Sequence, residues 1–347
     1  MSIALCVALV VVVLGAFVRL SDAGLGCPDW PGCYGHVTGV PRTLAEIARA
    51  NQAFPERPVV TSKALKEMVH RYFAGTLAVL ILVLVVLAVR YRQRAHQPLK
   101  TPLALLLLVI LQALLGMWTV TLLLKPIVVM AHLLGGFATL SLLWWLFLSG
   151  SNWANSSCGG GLAPYRLLAL IGTAILVCQI ALGGWTSANY AAAACPDFPT
   201  CQSQWWPRMD FSQGFTLSHG LGLNYEFGVL DNAARTAIHM THRIGALITA
   251  IYILALGSTL LLKAHDKVLR VVSAAVLGLT VLQVALGISN VLLGWPLSMA
   301  AAHNAIAALL LLSMLTLDYV LRPVGKAAVN ETEREARENG AVSNALT

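Results

Sequence analysis

Glu67-Met68-Val69-His70-Arg71, at the head of a long apolar run, recurs as His239-Met240-Thr241-His242-Arg243, and this repetition decides how the chain is built. Each copy is followed by a second histidine that opens another apolar run. His132 comes 62 residues after His70, and His303 comes 61 after His242. Each copy is preceded by two cysteines six apart, Cys27 and Cys33 in CPDWPGC, Cys195 and Cys201 in CPDFPTC. Gln112 in LQALLG and Gln283 in LQVALG each stand 20 residues before the second histidine. Self-similarity at a fixed offset marks a tandem duplication, so each half is a guide to the other.

Charged residues make up 11% of the chain and hydrophobic ones 58%, with a mean hydropathy of +0.75, which excludes a soluble domain and a disordered chain. Eight apolar runs are long enough to span a hydrocarbon core, which takes ~20 helical residues. They lie at about 2 to 20, 68 to 90, 102 to 122, 127 to 148, 165 to 186, 237 to 262, 268 to 293 and 298 to 321. Each run is continuously apolar, which favours helices over the alternating strands of a barrel. The first run lacks a basic leading segment and carries Gly15, which aligns with Gly183, so it reads as a span rather than a signal peptide. The expected fold is an all-α membrane protein whose eight transmembrane helices form two tandem, pseudo-symmetric four-helix bundles. The expected parts are an N-terminal bundle (1–150), a Ser/Gly-rich linker (151–164), a C-terminal bundle (165–322) and a charged, disordered tail (323–347).

The net charge of +8 follows topology, not a nucleic-acid surface. Arg90, Arg92, Arg94 and Lys100 lie between spans two and three. Lys263, Lys267 and Arg270 lie between six and seven, and Arg322 and Lys326 follow eight. The positive-inside rule makes these segments cytoplasmic, with both termini inside and the cysteine loops on the outer side of the cell (inner) membrane. The loop after span one, with Arg42, Arg49, Arg57, Lys63 and Lys66, runs against that rule and is outvoted. On the outer side each cysteine pair can hold a disulfide, Cys27–Cys33 and Cys195–Cys201; a zinc site is the alternative, weakened by the lack of further ligands at suitable spacing. Cys6, Cys158 and Cys178 read as small buried residues or, for Cys158, a loop thiol.

Four histidines in two matched pairs, His70 with His132 and His242 with His303, are more than helix packing requires, and they read as metal ligands near the outer interface. Two imidazoles from facing helices suit heme iron, whereas zinc asks for a third and fourth protein ligand. Glu67 shares a helix face with His70 and is either an N-terminal acid favoured by the helix dipole or a catalytic carboxylate; half two has His239 there, which could cap or hydrogen-bond. Arg71 and Arg243 are candidates for binding heme propionates, with snorkelling to the interface as the alternative. Gly75, Gly135, Gly136 and Gly245 let helices approach or leave room for a macrocycle, and Trp118, Trp144, Trp145, Trp185, Trp205, Trp206 and Trp295 read as an interfacial belt.

With Glu67-x-x-His70-Arg71, His132, His242-Arg243, His303 and the CPDWPGC loop in place, the chain resembles the heme A synthase family over its whole membrane portion. The resemblance implies oxidation of the C8 methyl of heme O to the formyl of heme A, for cytochrome oxidase, through two hydroxylations. It implies heme O as substrate between His70 and His132, a heme b cofactor between His242 and His303, iron bound through all four, and Glu67 as the catalytic residue. It gives the Cys27/Cys33 pair importance for activity, whereas Cys195/Cys201 is not found throughout the family. Implied partners are heme O synthase, cytochrome oxidase assembly factors, an electron donor or acceptor and membrane lipid, with no nucleic acid. Two rivals stand beside it: a bis-histidine diheme cytochrome for quinone-linked electron transfer, and a small-molecule transporter. The divergence of Glu67 from His239 disfavours the first; parallel repeats with sites near one face disfavour the second.

Overall fold

The computed structural model describes residues 1–93, 98–151, 162–220 and 222–322. The expected tail, most of the expected linker, Arg94, Cys158 and Lys326 lie outside the described residues. In chain order the helices are α1 (Ser2–Leu20), α2 (Leu44–Ala53), α3 (Thr61–Arg90), α4 (Lys100–Thr121), α5 (Pro126–Ser149), α6 (Ala163–Ala188), α7 (Phe211–Gly214), α8 (Asn232–Lys263), α9 (Lys267–Leu292) and α10 (Leu297–Val320). Eight of them, all but α2 and α7, are long and apolar enough to cross a membrane, and the chain is a multi-pass membrane protein. Among the described residues there is no strand, only one isolated bridge in each cysteine loop.

Local chemistry sets the ends. Asp231 accepts from Ala234 N (2.9 Å) to cap α8, Asp266 accepts from Val268 N and Leu269 N to cap α9, and Pro126 opens α5 where a missing N–H costs nothing. Thr43 and Glu46 cap α2 reciprocally, the S/T-x-x-E signature of a short amphipathic helix in the loop between α1 and α3. Helices α3 and α8 begin at Thr61 and Asn232, well before the apolar runs expected from 68 and 237. Their polar first turns project beyond the hydrocarbon, where hydropathy is blind, so His70 and His242 lie between two and three turns inside their helices rather than in the first.

Helix neighbours form two closed rings. In half one α1 packs on α3, α3 on α4, α4 on α5 and α5 on α1; in half two α6, α8, α9 and α10 repeat that circuit. The halves meet through α1 with α10, α5 with α6 and α5 with α10, which is the pattern a two-fold relation between repeats requires. Lipid tails are as apolar as leucine, so helix association rests on close packing and hydrogen bonds. Small residues Ala4 and Ala8 of α1 and Ala308 of α10 are fully packed in the common core with Leu140, Leu143, Met314 and Leu317, and Trp144 Nε1 donates to Thr316 Oγ1 across the halves (2.9 Å). Large apolar side chains such as Leu107, Leu247, Ile251 and Leu262 face outward, as expected where lipid is the solvent.

Two expectations are corrected here. Cys6 and Cys178 are exposed on the outward faces of α1 and α6, because a thiol facing lipid loses nothing by leaving the core. Trp185 is buried, donating to Gly214 O (2.9 Å), and Trp144 is committed to the interface between halves; only part of the tryptophan set, notably Trp205 and Trp206, is exposed as a belt would be. A thiol-labelling experiment checks the cysteine assignment. Membrane-permeant maleimide applied without reductant should modify Cys6 and Cys178 and leave Cys27, Cys33, Cys195 and Cys201 unmodified until reduction, as read by peptide mass spectrometry.

Candidate functional site

The four sequence-matched histidines occupy equivalent slots, and each ring lies over a glycine of the next helix. A Cβ placed on Gly15 would lie 3.0 Å from Cε1 of His70, and on Gly183 3.1 Å from Cε1 of His242. The same holds for Gly116 against His132 (3.4 Å) and Gly287 against His303 (3.2 Å). These glycines leave space that a methyl would fill, so the Cε1 edge of each ring comes close to the backbone. Three of them end the pattern Gln-x-x-Leu-Gly, in Gln112 to Gly116, Gln179 to Gly183 and Gln283 to Gly287; in the fourth, Val11 to Gly15, valine replaces glutamine. Gln179 Nε2 lies 2.9 Å from His242 Nδ1 and donates to His242 O (3.0 Å), and Gln283 Nε2 lies 3.2 Å from His303 Nε2. Gln112 is instead folded against Gly135, whose counterpart in half two is Ile306. Gln179 was missed in the sequence because only Gln112 and Gln283 keep a fixed distance to a histidine later in the chain.

In half one the rings of His70 and His132 stand 6.5 Å apart, centre to centre, at 88° to one another. Two metal–nitrogen bonds of about 2 Å plus about 1 Å from each nitrogen to its ring centre give about 6 Å, so one iron atom fits between them. The Nδ1 atoms of His70, His132 and His303 are buried with no partner. Both half-one rings line a cavity of about 490 Å³ that Glu67, Arg71, Gly75, Gln112 and Gly136 also border. Gly75 has nothing within 4 Å of an added Cβ, so of the glycines singled out it is one that leaves room, whereas Gly135 and Gly245 are packed against Gln112 and Gln179. Among the described residues there is no group of three or more His, Cys, Asp or Glu that could hold a metal ion. Donors supplied in pairs suit a metal that brings its own equatorial ligands and disfavour bare zinc.

Above the histidines sit the two cysteine loops, both closed as disulfides: Cys27–Cys33 with Cα–Cα 4.8 Å and Cys195–Cys201 with 4.6 Å. The aspartate of each CPD triplet, unremarked in the sequence although it occurs in both copies, organises the loop. Asp29 accepts from Tyr34 N (2.6 Å) and Gly35 N (2.8 Å), and Asp197 from Gln202 N (2.6 Å) and Ser203 N (3.0 Å). All four donors belong to residues with positive φ, so the carboxylate holds a turn that the backbone would otherwise resist. The Thr200 hydroxyl and these backbone N–H groups hold the Asp197 carboxyl below its ordinary range, while burial pushes the Tyr34 phenol up.

The arginine after each first histidine reaches into the bowl of carbonyls that the loop presents. Arg71 donates to Asp29 O (3.0 Å), Pro31 O (3.2 Å) and Gly32 O; Arg243 donates to Thr200 O (2.8 Å), Asp197 O (2.8 Å) and Cys195 O (3.2 Å). The halves differ beside it. Glu67, 5% exposed, takes Arg71 Nη2 at 2.5 Å on one oxygen and Cys27 N at 2.8 Å on the other, whereas His239 Nε2 faces Arg243 Nε at 3.2 Å and its ring stands 5.8 Å from that of Trp295. Only half one therefore carries a carboxylate at the cavity edge.

The arrangement matches a known family. Residues 1–315 match the family of cytochrome oxidase assembly proteins COX15-CtaA. The chain belongs to the heme A synthase family. It is 46% identical over 324 residues to the heme A synthase of Shewanella oneidensis, covering 92% of this chain and 95% of that one. It is 28% identical over 323 residues to that of Caulobacter vibrioides (86% and 88% covered), and 28% identical over 228 residues to the heme A synthase COX15 of Arabidopsis thaliana (62% and 46% covered).

Removing the clasp should loosen the disulfides. A charge-assisted hydrogen bond contributes about 1.5 kcal/mol or more, so Arg71→Ala should speed reduction of Cys27–Cys33 by a water-soluble phosphine about tenfold, and Arg243→Ala should do the same for Cys195–Cys201. Alkylation after timed reduction reads both rates, and equal rates in wild type and variants would contradict the clasp.

Proposed function

We propose that this chain, a membrane-bound heme-dependent oxidoreductase of the heme A synthase family, oxidises the C8 methyl of heme O to a formyl group, making heme A for cytochrome oxidase. The observation that carries the proposal is the His70–His132 pair, spaced for one iron atom, on a cavity whose edge holds the Glu67 carboxylate. Half one receives heme O as substrate. His242 and His303 of half two would hold heme b, and when bound that cofactor would supply one-electron chemistry that side chains lack. Orientation of the proteins, with the disulfide loops on the outer side of the inner membrane and both termini inside, belongs to the same proposal, as do heme O synthase, cytochrome oxidase assembly factors and an external electron partner.

Counted with water as the source of the oxygen atom, taking a methyl to a formyl releases four electrons, which the external electron partner must accept, and four protons. Glu67 is the residue placed to take them. Its two oxygens each receive one donor, from Arg71 and from Cys27 N, which leaves lone pairs for water or substrate at the cavity. Arg71 keeps the carboxylate in place and is itself fixed by the loop, so the base is positioned by the disulfide. His70 and His132 orient the macrocycle, and the apolar wall of Val12, Leu77, Val109 and Phe137 excludes water from the rest of the cavity.

Glu67→Gln keeps shape and hydrogen-bonding capacity but removes the proton acceptor, so heme binding should persist while the heme A to heme O ratio in cells falls about 10²-fold. His239→Gln, at the equivalent slot of half two, should leave that ratio near wild type; equal losses would place catalysis in the wrong half. Separately, His242→Ala or His303→Ala should abolish the low-spin heme b spectrum of the purified protein, because each removes one of the two imidazoles that would hold the cofactor. Pigment extracted from wild type separates the readings: heme B with heme O or A supports the synthase, and two equivalents of heme B alone support an electron carrier.

A further inference from the structure

Arg19, at the C-terminal end of α1, lines the half-one cavity. Its side chain is only 13% exposed, yet among the described residues its sole ion-pair partner is Asp22, at 4.0 Å and 41% exposed. Nη2 donates to Ser187 O of α6 (2.6 Å), the guanidinium stacks 3.9 Å from the centre of the Tyr190 ring, and Nε is buried with no partner at all. A largely buried cation with one loose counter-charge and an unmet donor is costly unless an anion completes it. Arg71, by contrast, already has its Nη1 on the loop carbonyls and its Nη2 on Glu67.

Position agrees with charge. Gly15, against which His70 lies, and Arg19 are four residues apart on one face of α1, so their backbone positions are about 6 Å apart along the helix and both residues border the same cavity. Arg19 lies toward the end of the helix that leads to the disulfide loop. The slot is also specific to half one: at the offset of 168 residues that relates Gly15 to Gly183 and Cys27 to Cys195, Arg19 corresponds to Ser187, the residue whose carbonyl it holds.

We propose that Arg19 is the carboxylate-binding residue of the half-one cavity, receiving a propionate of the macrocycle whose iron lies between His70 and His132. This rests on the functional reading above, that half one takes heme O. Guanidinium and carboxylate pair through parallel N–H donors, and the Ser187 and Tyr190 contacts hold the fork in place from the other half of the molecule.

The test uses full-length protein in detergent with half two loaded, titrated under non-turnover conditions with ferric heme O and with its dimethyl ester, followed in the Soret band. Wild type should bind the diacid at least about tenfold more tightly than the diester. Arg19→Gln should bind both alike, at the diester's affinity, with the half-two heme b spectrum unchanged as the folding control; Arg19→Lys should regain part of the preference. Equal binding of the two probes by wild type, or a full preference retained in Arg19→Gln, would overturn the assignment. His70→Ala separates this from the broader reading. If His70→Ala abolishes the Soret shift while Arg19→Gln keeps the preference, only the Arg19 assignment fails; if wild type and His70→Ala respond identically to heme O, half one is not the heme O site.

Discussion

A guanidinium seated in a bowl of backbone carbonyls ties each histidine helix to its disulfide loop, and the end of the molecule that carries both loops depends on it. The loop carbonyls point inward with no strand or helix to satisfy them, and an unpaired buried carbonyl is expensive. Arg71 and Arg243 supply the donors, while Asp29 and Asp197 satisfy the N–H groups of the same turns from the other side. Because each arginine follows its histidine directly, the loop's position and the ring's position are set together. The disulfide thereby acts on the site below it through geometry: it holds the carbonyls, the carbonyls hold the arginine, and in half one the arginine holds Glu67.

Duplication supplies this device twice, and divergence has made the two copies unequal where chemistry requires it. Glu67 stands opposite His239, Val11 opposite Gln179, Gly135 opposite Ile306 and Arg19 opposite Ser187. In half two glutamine amides meet both imidazoles, Gln179 at Nδ1 of His242 (2.9 Å) and Gln283 at Nε2 of His303 (3.2 Å). In half one neither ring has such a contact, Gln112 being folded over Gly135, and a cavity opens between the same helices. The cavity wall also includes Gly184, Ser187 and Asn304 from half two, so the two bundles share a boundary at the half-one cavity instead of standing apart.

The membrane explains much of what would be odd in a soluble protein. Leucine and isoleucine face outward at high exposure, whereas alanine and glycine occupy the contacts between helices. Four glycines do more than allow approach, since each leaves room for the Cε1 edge of an imidazole against the backbone. Polar side chains at the contacts, such as Thr316 with Trp144, add hydrogen bonds where lipid offers none.

Spans, duplication and the four histidines were legible in the sequence because each depends on a local or periodic property: a run of apolar residues long enough for the bilayer, and a motif repeated at constant offset. The capping box of α2 and the CPD aspartates were equally present as short patterns, Thr43-x-x-Glu46 and a triplet occurring twice, and needed only to be weighed. The early starts of α3 and α8 were not legible in hydropathy, because their first turns leave the hydrocarbon. What only tertiary structure decided is which partner each polar group meets. Arg71 and Arg243 follow histidines in the sequence and invite an anionic ligand, yet their donors go to loop carbonyls some 40 residues away, since a buried N–H takes the acceptor that folding brings nearest. Arg19, with no repeat to mark it, comes to the cavity only because α1 packs beside α3 and against the other half, leaving a charge there that local sequence could not foretell.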